Sequence, residues 1–296
     1  MKPRKSLSLL VLPLLLTGCS TAQSELSSVD ASADNQSSSS LESSLSASDF
    51  EEQVLYDSND IKVIASNLIN TDSMPTLEFT IENNSGNEIR VCTPNLSVND
   101  CMMYTTFGVF VTVQPGETTT TGMYIPMHLL PGVSSKEIGK IEFTLELFGG
   151  EQEIEGYIPP LASLPVAIQL KDVEPPAEPE GELLLDEDGI RVISRGIQFI
   201  GSDAEVGLYI ENTTDQPIAF SGHDLKVNGI VMTSGFMSCL VMPGKKAFTG
   251  IPIDSTVLLD NGKNTLETAD FGLKVLDYDN TQNVLASTEV HLDLQK

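Results

Sequence analysis

The chain has 296 residues, with 42 acidic side chains against 16 basic ones and a formal charge of −26. That length suggests two domains at about 150 residues each. The charge excludes a nucleic-acid binder, because phosphate binding needs clustered Lys and Arg to displace counterions, and equally excludes electrostatic docking on anionic lipid. Hydrophobic residues still make up 40%, enough to build cores, while three histidines, four cysteines and no tryptophan leave little material for catalysis or metal binding.

Lys2, Arg4 and Lys5 precede an apolar run from Leu7 to Leu16. The run is too short to span a hydrocarbon core of ~30 Å, so residues 1–18 read as a signal peptide. It ends in Leu16-Thr17-Gly18-Cys19, which resembles the bacterial lipobox. The resemblance implies diacylglyceryl transfer to the Cys19 sulfur and cleavage after Gly18. Cleavage removes three positive charges and no negative ones, leaving −29 on the mature chain. No later stretch approaches the ~18 uninterrupted apolar residues of a membrane span. Lipid on Cys19 is therefore the expected anchor, at the extracytoplasmic face of the cell membrane.

Residues 19–53 come next, and thirteen of the thirty-one residues from Ser20 to Phe50 are serine. Seven acids and no base lie between Ser20 and Gln53. Such a segment cannot bury enough apolar surface to offset its ordering entropy, so a disordered tether with a reach of about 30 Å is expected.

The remainder repeats itself. Asp57–Phe107 lies over Asp186–Phe236 without a gap, with fourteen identities over 51 positions. Ile61-Lys62-Val63-Ile64 matches Ile190-Arg191-Val192-Ile193, Ile81-Glu82-Asn83 matches Ile210-Glu211-Asn212, and Leu96-Ser97-Val98-Asn99 matches Leu225-Lys226-Val227-Asn228. After one deletion, Pro115-Gly116 meets Pro243-Gly244. One fold occurs twice, over 54–171 and 182–296. Between the copies, residues 172–181 carry Pro175, Pro176 and Pro179 among acids. Proline favours extended polyproline II, so this linker is expected to hold the copies apart.

Within each copy the apolar period is two, as in Leu77-Glu78-Phe79-Thr80-Ile81 and Ile141 to Leu147. Turn signals recur at Asp57 to Asp60, Asn83 to Gly86 and Pro243-Gly244, and Asn228-Gly229 signals a type I′ hairpin. The pattern predicts an all-β chain of two tandem immunoglobulin-like antiparallel β-sandwiches. A single helical turn is expected over Asp254 to Leu259, capped by Asp254 or Ser255.

Ile-Glu-Asn, then Leu-x-Val-Asn-Gly and Pro-Gly-Lys-Lys-Ala, is similar to an uncharacterised repeat of lipoproteins and exported proteins in clostridia-like Gram-positive bacteria. The second copy carries it at Ile210 to Asn212, Asp224 to Gly229 and Pro243 to Ala247. The first copy departs from it, with Asp100 for the turn glycine and Glu117 for the first lysine. The resemblance implies fold and location, and no activity.

His128, His223 and His291 stand in no metal-ligand spacing. Asp186, Asp188, Asp277 and Asp279 offer hard oxygen atoms that calcium accepts, but Ile197 occupies the twelfth position where an EF-hand needs glutamate. The same residues serve as turn formers without a metal. Tyr104, Tyr157 and Tyr278 are the candidate sugar platforms, Tyr278 foremost because it adjoins a turn. Cys92 and Cys101 are candidates for a disulfide, which leaves Cys239 as a buried free thiol. A two-residue turn at Asn99-Asp100 opposes the bridge, since it sets Val98 rather than Cys92 opposite Cys101.

The leading reading is a surface lipoprotein without enzymatic activity or cofactor: a binding or display module whose partner is a protein or cell-envelope component. An envelope hydrolase or its accessory subunit is the alternative; it needs a clustered nucleophile, base and oxyanion donors, and would be marked by His223 or His128 within ~3.2 Å of a serine or carboxylate. A calcium-stiffened spacer is the third.

Overall fold

A computed structural model describes residues 50–103, 108–149, 159–200, 203–233 and 237–295. The signal peptide, Cys19, the tether up to residue 49, Tyr104 and Tyr157 lie outside the described residues.

The first repeat runs β1 (Gln53–Ser58), β2 (Ile61–Ile69), β3 (Thr76–Asn83), β4 (Ile89–Cys92), β5 (Ser97–Val98) and β6 (Cys101–Met102). It continues through β7 (Phe110–Val113), β8 (Glu117–Tyr124), β9 (Lys140–Gly149) and β10 (Ala162–Gln169). The second runs β11 (Glu182–Glu187), β12 (Ile190–Ile200), β13 (Asp203–Asn212), β14 (Ile218–Val227), β15 (Ile230–Val231) and β16 (Met237–Val241). β17 (Lys246–Ile253), helix α1 (Ser255–Asp260), β18 (Thr268–Asp277) and β19 (Val284–Asp293) complete it. The chain is nearly all β, and each repeat is an antiparallel β-sandwich, as the alternation predicts.

In the first repeat, β1-β2-β3-β8 faces a sheet of β5, β6, β9, β4 and β7, with β10 on the far side of β9. In the second, β11-β12-β13-β17 faces β15-β14-β18-β19, with β16 on β14. Alternate residues point inward. Leu77, Phe79 and Ile81 of β3 meet Ile141, Phe143 and Leu145 of β9, with Phe79 and Phe143 edge to face at 5.7 Å. Leu208 and Ile210 of β13 share the second core with Phe220, Phe271 and Leu273.

The repeated asparagines hold turns. Asn83 is fully buried, and its Nδ2 donates to the carbonyls of Asn87 (2.8 Å) and Val113 (3.0 Å). Asn212 does the same in the second copy, to Gln216 and Val241, both at 2.9 Å. Asn99 and Asn228 open two-residue turns in which Val98 pairs Cys101 and Val227 pairs Ile230. Positive φ at both turn positions (49° and 64°, 53° and 78°) suits the type I′ geometry expected at Asn228-Gly229. Asp254 caps α1, accepting hydrogen bonds from the amides of Thr256 and Val257.

The expected separation of the copies is corrected by one pairing. β6 runs parallel to β17, Lys246 opposite Cys101 and Ala247 opposite Met102, and the Lys246 amide donates to the Asp100 carbonyl at 2.9 Å. One sheet of each repeat thereby merges into a single ten-stranded sheet. Ile193, Tyr209 and Phe248, on the outer face of the second repeat, pack into the hydrophobic cluster of the first. The proline-rich linker lies along the second repeat instead of forcing it away. Glu178 pairs with Arg191, and the Pro176 carbonyl accepts from Lys246 Nζ at 3.3 Å. Stiffness of a linker fixes its length, whereas unpaired strand edges and apolar faces decide whether its ends meet.

Candidate binding surfaces

Four charges converge where the β5–β6 turn meets β17. Asp100 Oδ1 lies 2.7 Å from Lys245 Nζ and 2.7 Å from Lys140 Nζ. Glu142 contacts Lys140 at 3.1 Å and also pairs with Lys245. All four side chains are partly buried. Burial alone would raise the Asp100 pKa, but hydrogen bonds from Lys140 and Lys245 hold the carboxyl below its ordinary value. The Asp100 hydrogen bond raises Lys140 above its ordinary value, against an opposing effect of burial.

Beside this joint, a cleft of about 190 Å³ opens between the repeats, its polar lining drawn from His128, Arg195, Gln198 and Glu205. Glycine makes room for that polar group. A Cβ at Gly250 would meet Glu205 at 2.1 Å, and one at Gly207 would meet Gln198 at 2.3 Å. The Arg195 guanidinium stacks 5.1 Å above the Phe248 ring and donates to Gln198 Oε1 at 3.3 Å. Burial raises the Glu205 carboxyl, with Arg195 opposing, and burial lowers Arg195. The Ser194/Ile197 bulge in β12 re-aims the strand at this point, and Phe199 just beyond it is 70% exposed.

Phe199 also lines a second, more apolar groove of about 510 Å³ in the second repeat. Ile253, Leu258, Leu259, Leu266 and Leu294 form its walls, and Lys263 stands among them. Leu259 is 64% exposed. One aromatic ring therefore joins a charged cleft to an apolar groove. Sequence reading missed both, because a bulge and a strand-to-helix corner create them outside any period-two signal.

The structure scatters the residues singled out in the sequence. Cys92, Cys101 and Cys239 are free thiols, which corrects the candidate Cys92–Cys101 bridge. The hairpin register explains it: Cys101 pairs with Val98, and Cys92 pairs with Phe110 on a different strand. Cys239 is part-buried on β16, where burial pushes its thiol up to about 12. Asp186 pairs with Arg191, and Asp188 holds a positive-φ turn position at 48°. Asp277 Oδ1 accepts the backbone amides of Asp279 (2.9 Å) and Asn280 (3.2 Å). Among the described residues, no three His, Cys, Asp or Glu side chains group as metal ligands. Tyr278 is 49% exposed at its turn.

Two histidines meet carboxylates. His223 Nδ1 lies 2.9 Å from Asp224 Oδ2, and His291 Nδ1 lies 2.6 Å from Asp270 Oδ1. The Asp224 side chain is 86% exposed, and no hydroxyl or thiol bonds either imidazole among the described residues. His128 lines the inter-repeat cleft.

No protein-family profile and no curated protein matches the chain. Among solved structures, the crystal structure of the YadV chaperone is similar at 12% identity, over 73% of this chain and 92% of that one, with a TM-score of 0.23.

Proposed function

We propose that this chain is a non-enzymatic binding or display module, held at the extracytoplasmic face of a membrane by lipid on Cys19. The lipobox-like Leu16-Thr17-Gly18-Cys19 and the acidic serine-rich stretch support the anchor and the tether. One observation carries the binding role: Phe199, 70% exposed, sits between the Arg195–Glu205 cleft and the apolar groove. Exposed aromatics beside concave apolar surface are what protein partners commonly engage. The partner is a protein or a cell-envelope component.

Two measurements test the proposal. Intact-mass spectrometry of the protein from its native host should show a diacylglyceryl adduct on Cys19, and Cys19→Ala should leave unlipidated precursor. An unmodified mature Cys19 overturns the anchor. For the binding role, a photoreactive phenylalanine analogue is placed at Phe199 or, as a control, at exposed Lys274 on β18. Illumination of intact cells should give a discrete adduct from position 199 alone; equal labelling from both positions, or none, overturns it. The hydrolase reading has the His223–Asp224 contact in its favour. A serine labelled by a fluorophosphonate probe, with labelling lost in His223→Ala, would install that reading instead.

A further inference from the structure

The joint uses one edge and one turn, and among the described residues no strand pairs with the matching edge of the first repeat or adds to the matching turn of the second. The β14–β15 turn is the counterpart of the β5–β6 turn, with Val227–Ile230 matching Val98–Cys101. β8 is the counterpart of β17, since both run antiparallel to the third strand of their repeat. Among the described residues nothing pairs with the outer edge of β8, although the same edge of β17 carries β6. β8 pairs with β3 over eight residues without a bulge, and Glu117-Thr118-Thr119-Thr120-Thr121 carries neither proline nor lysine. Apart from the charge of Glu117 at its start, it lacks the devices that blunt an edge strand. Other edges are blunted or short: Pro165 in β10, bulges at Val54/Tyr56 in β1 and Leu183/Leu185 in β11, and only four and five residues in β7 and β16.

At the open ends the charges of the turn and the edge are exchanged relative to the joint, while Asp270, opposite Lys226 on β18, keeps the acid of Glu142. Glu117 stands where Lys245 stands in the second repeat, and Gly229 stands where Asp100 stands in the first. Lys226 replaces Ser97, a residue that lines the same hollow as Glu142 and Lys245 in the joint. Acid has moved from the turn to the edge, and base from the edge to the turn. Lys226 and Glu117 are both exposed.

We propose that copies of this chain associate head to tail, the β14–β15 turn of one adding to the outer edge of β8 in the next, with Lys226 facing Glu117. Such a contact joins two different surfaces, so it extends head to tail into strings, or into a ring where its rotation closes, and does not stop at a dimer. It is weaker than the intramolecular joint, because Thr80 and Thr120 stand where Tyr209 and Phe248 pack. The proposal is independent of the Phe199 surface.

Sedimentation velocity of the full chain with Cys19→Ala, at rising concentration and low salt, tests it. The weight-average sedimentation coefficient should climb without a plateau at dimer, and added salt should reverse the climb. Lys226→Glu and Glu117→Lys should each leave monomer, with unchanged melting temperatures as a fold control. Combining both substitutions restores complementary charge and should restore association. A monomer at every concentration, or association indifferent to both substitutions, overturns the proposal.

Discussion

Asp100 and Lys245, 145 positions apart in the chain, meet with Oδ1 2.7 Å from Nζ. Each is a position at which the two repeats differ: Asp100 replaces a turn glycine, and Lys245 answers Glu117. The departures from the repeat are thus partners, and they give two similar sandwiches one defined arrangement. Asp100 tolerates its place because its φ of 64° is one that aspartate and asparagine adopt more readily than most residues.

Asp100→Asn keeps that backbone and removes the charge. It should lower the melting temperature by the equivalent of about 1–2 kcal/mol, since the pair is part-buried and coupled to Lys140 and Glu142. Lys245→Met should cost a similar amount, and the double variant less than the sum. The sign of the pH effect follows from the shifts. Asp100 has a depressed pKa, so its contribution is full above its ordinary value of 3.8 and disappears as pH falls through the lower folded value. Lys140 has a raised pKa, so its contribution is full below 10.5 and disappears as pH rises through the higher folded value. Thermal melts across pH should show a plateau between these limits in the wild type. A loss in Asp100→Asn that persists unchanged at acid pH would count against the charge pair.

Much of this fold was legible before any coordinates. Alternation marked the strands because one face of each sheet is buried, as at Leu77, Phe79 and Ile81. Asn228-Gly229 and Asp254 declared a hairpin and a cap because those positions need positive φ or a side-chain acceptor. The joint was not legible. Parallel pairing of β6 with β17 depends on two free strand edges meeting, and no local pattern records which edges are free. Ile193, Tyr209 and Phe248 stand out of phase with Val192, Ile210 and Ala247 of the second core, yet all three are buried at the joint. The Phe199 surface was hidden for a related reason: the Ser194/Ile197 bulge breaks the period on which the reading rested.

The twin asparagines carry a matched prediction. Asn83→Ala or Asn212→Ala removes two donations to backbone carbonyls and strands the Val113 or Val241 oxygen in the interior. Each should cost about 2–4 kcal/mol, near the sum for two buried hydrogen bonds with unsatisfied acceptors. Denaturant melts measure the loss. Because the networks repeat so closely, the two costs should agree within about 1 kcal/mol; a large disparity would show that the turns are not equivalent.

Thiol counting checks the register around Asn99-Asp100. Denatured protein carrying Cys19→Ala and prepared without reductant should show three reactive thiols, from Cys92, Cys101 and Cys239. A count of one would demand a bridge, and with it a different pairing of β4 and β6. In the native state the count should fall, because burial raises the Cys101 and Cys239 thiols to about 12 and keeps them from ionising.

Tyr209 supplies the prediction with the least intuitive sign. Its side chain is fully buried at the joint, 5.3 Å from the Phe248 ring between centroids, and its hydroxyl has no hydrogen-bond partner among the described residues. A hydroxyl taken from water without a partner costs about 1–3 kcal/mol. Tyr209→Phe removes that cost and keeps the ring contacts, so the variant should melt at the wild-type temperature or above it. Tyr209→Ala deletes the ring itself and should cost about 3–5 kcal/mol, the range for emptying an aromatic site in a core. Residues 182–296 expressed alone would bare Ile193, Tyr209 and Phe248, and should melt lower than the same residues in the full chain. If Tyr209→Phe instead lowers the melting temperature clearly, the hydroxyl has a partner, and a water bridging it to the joint becomes the feature to locate.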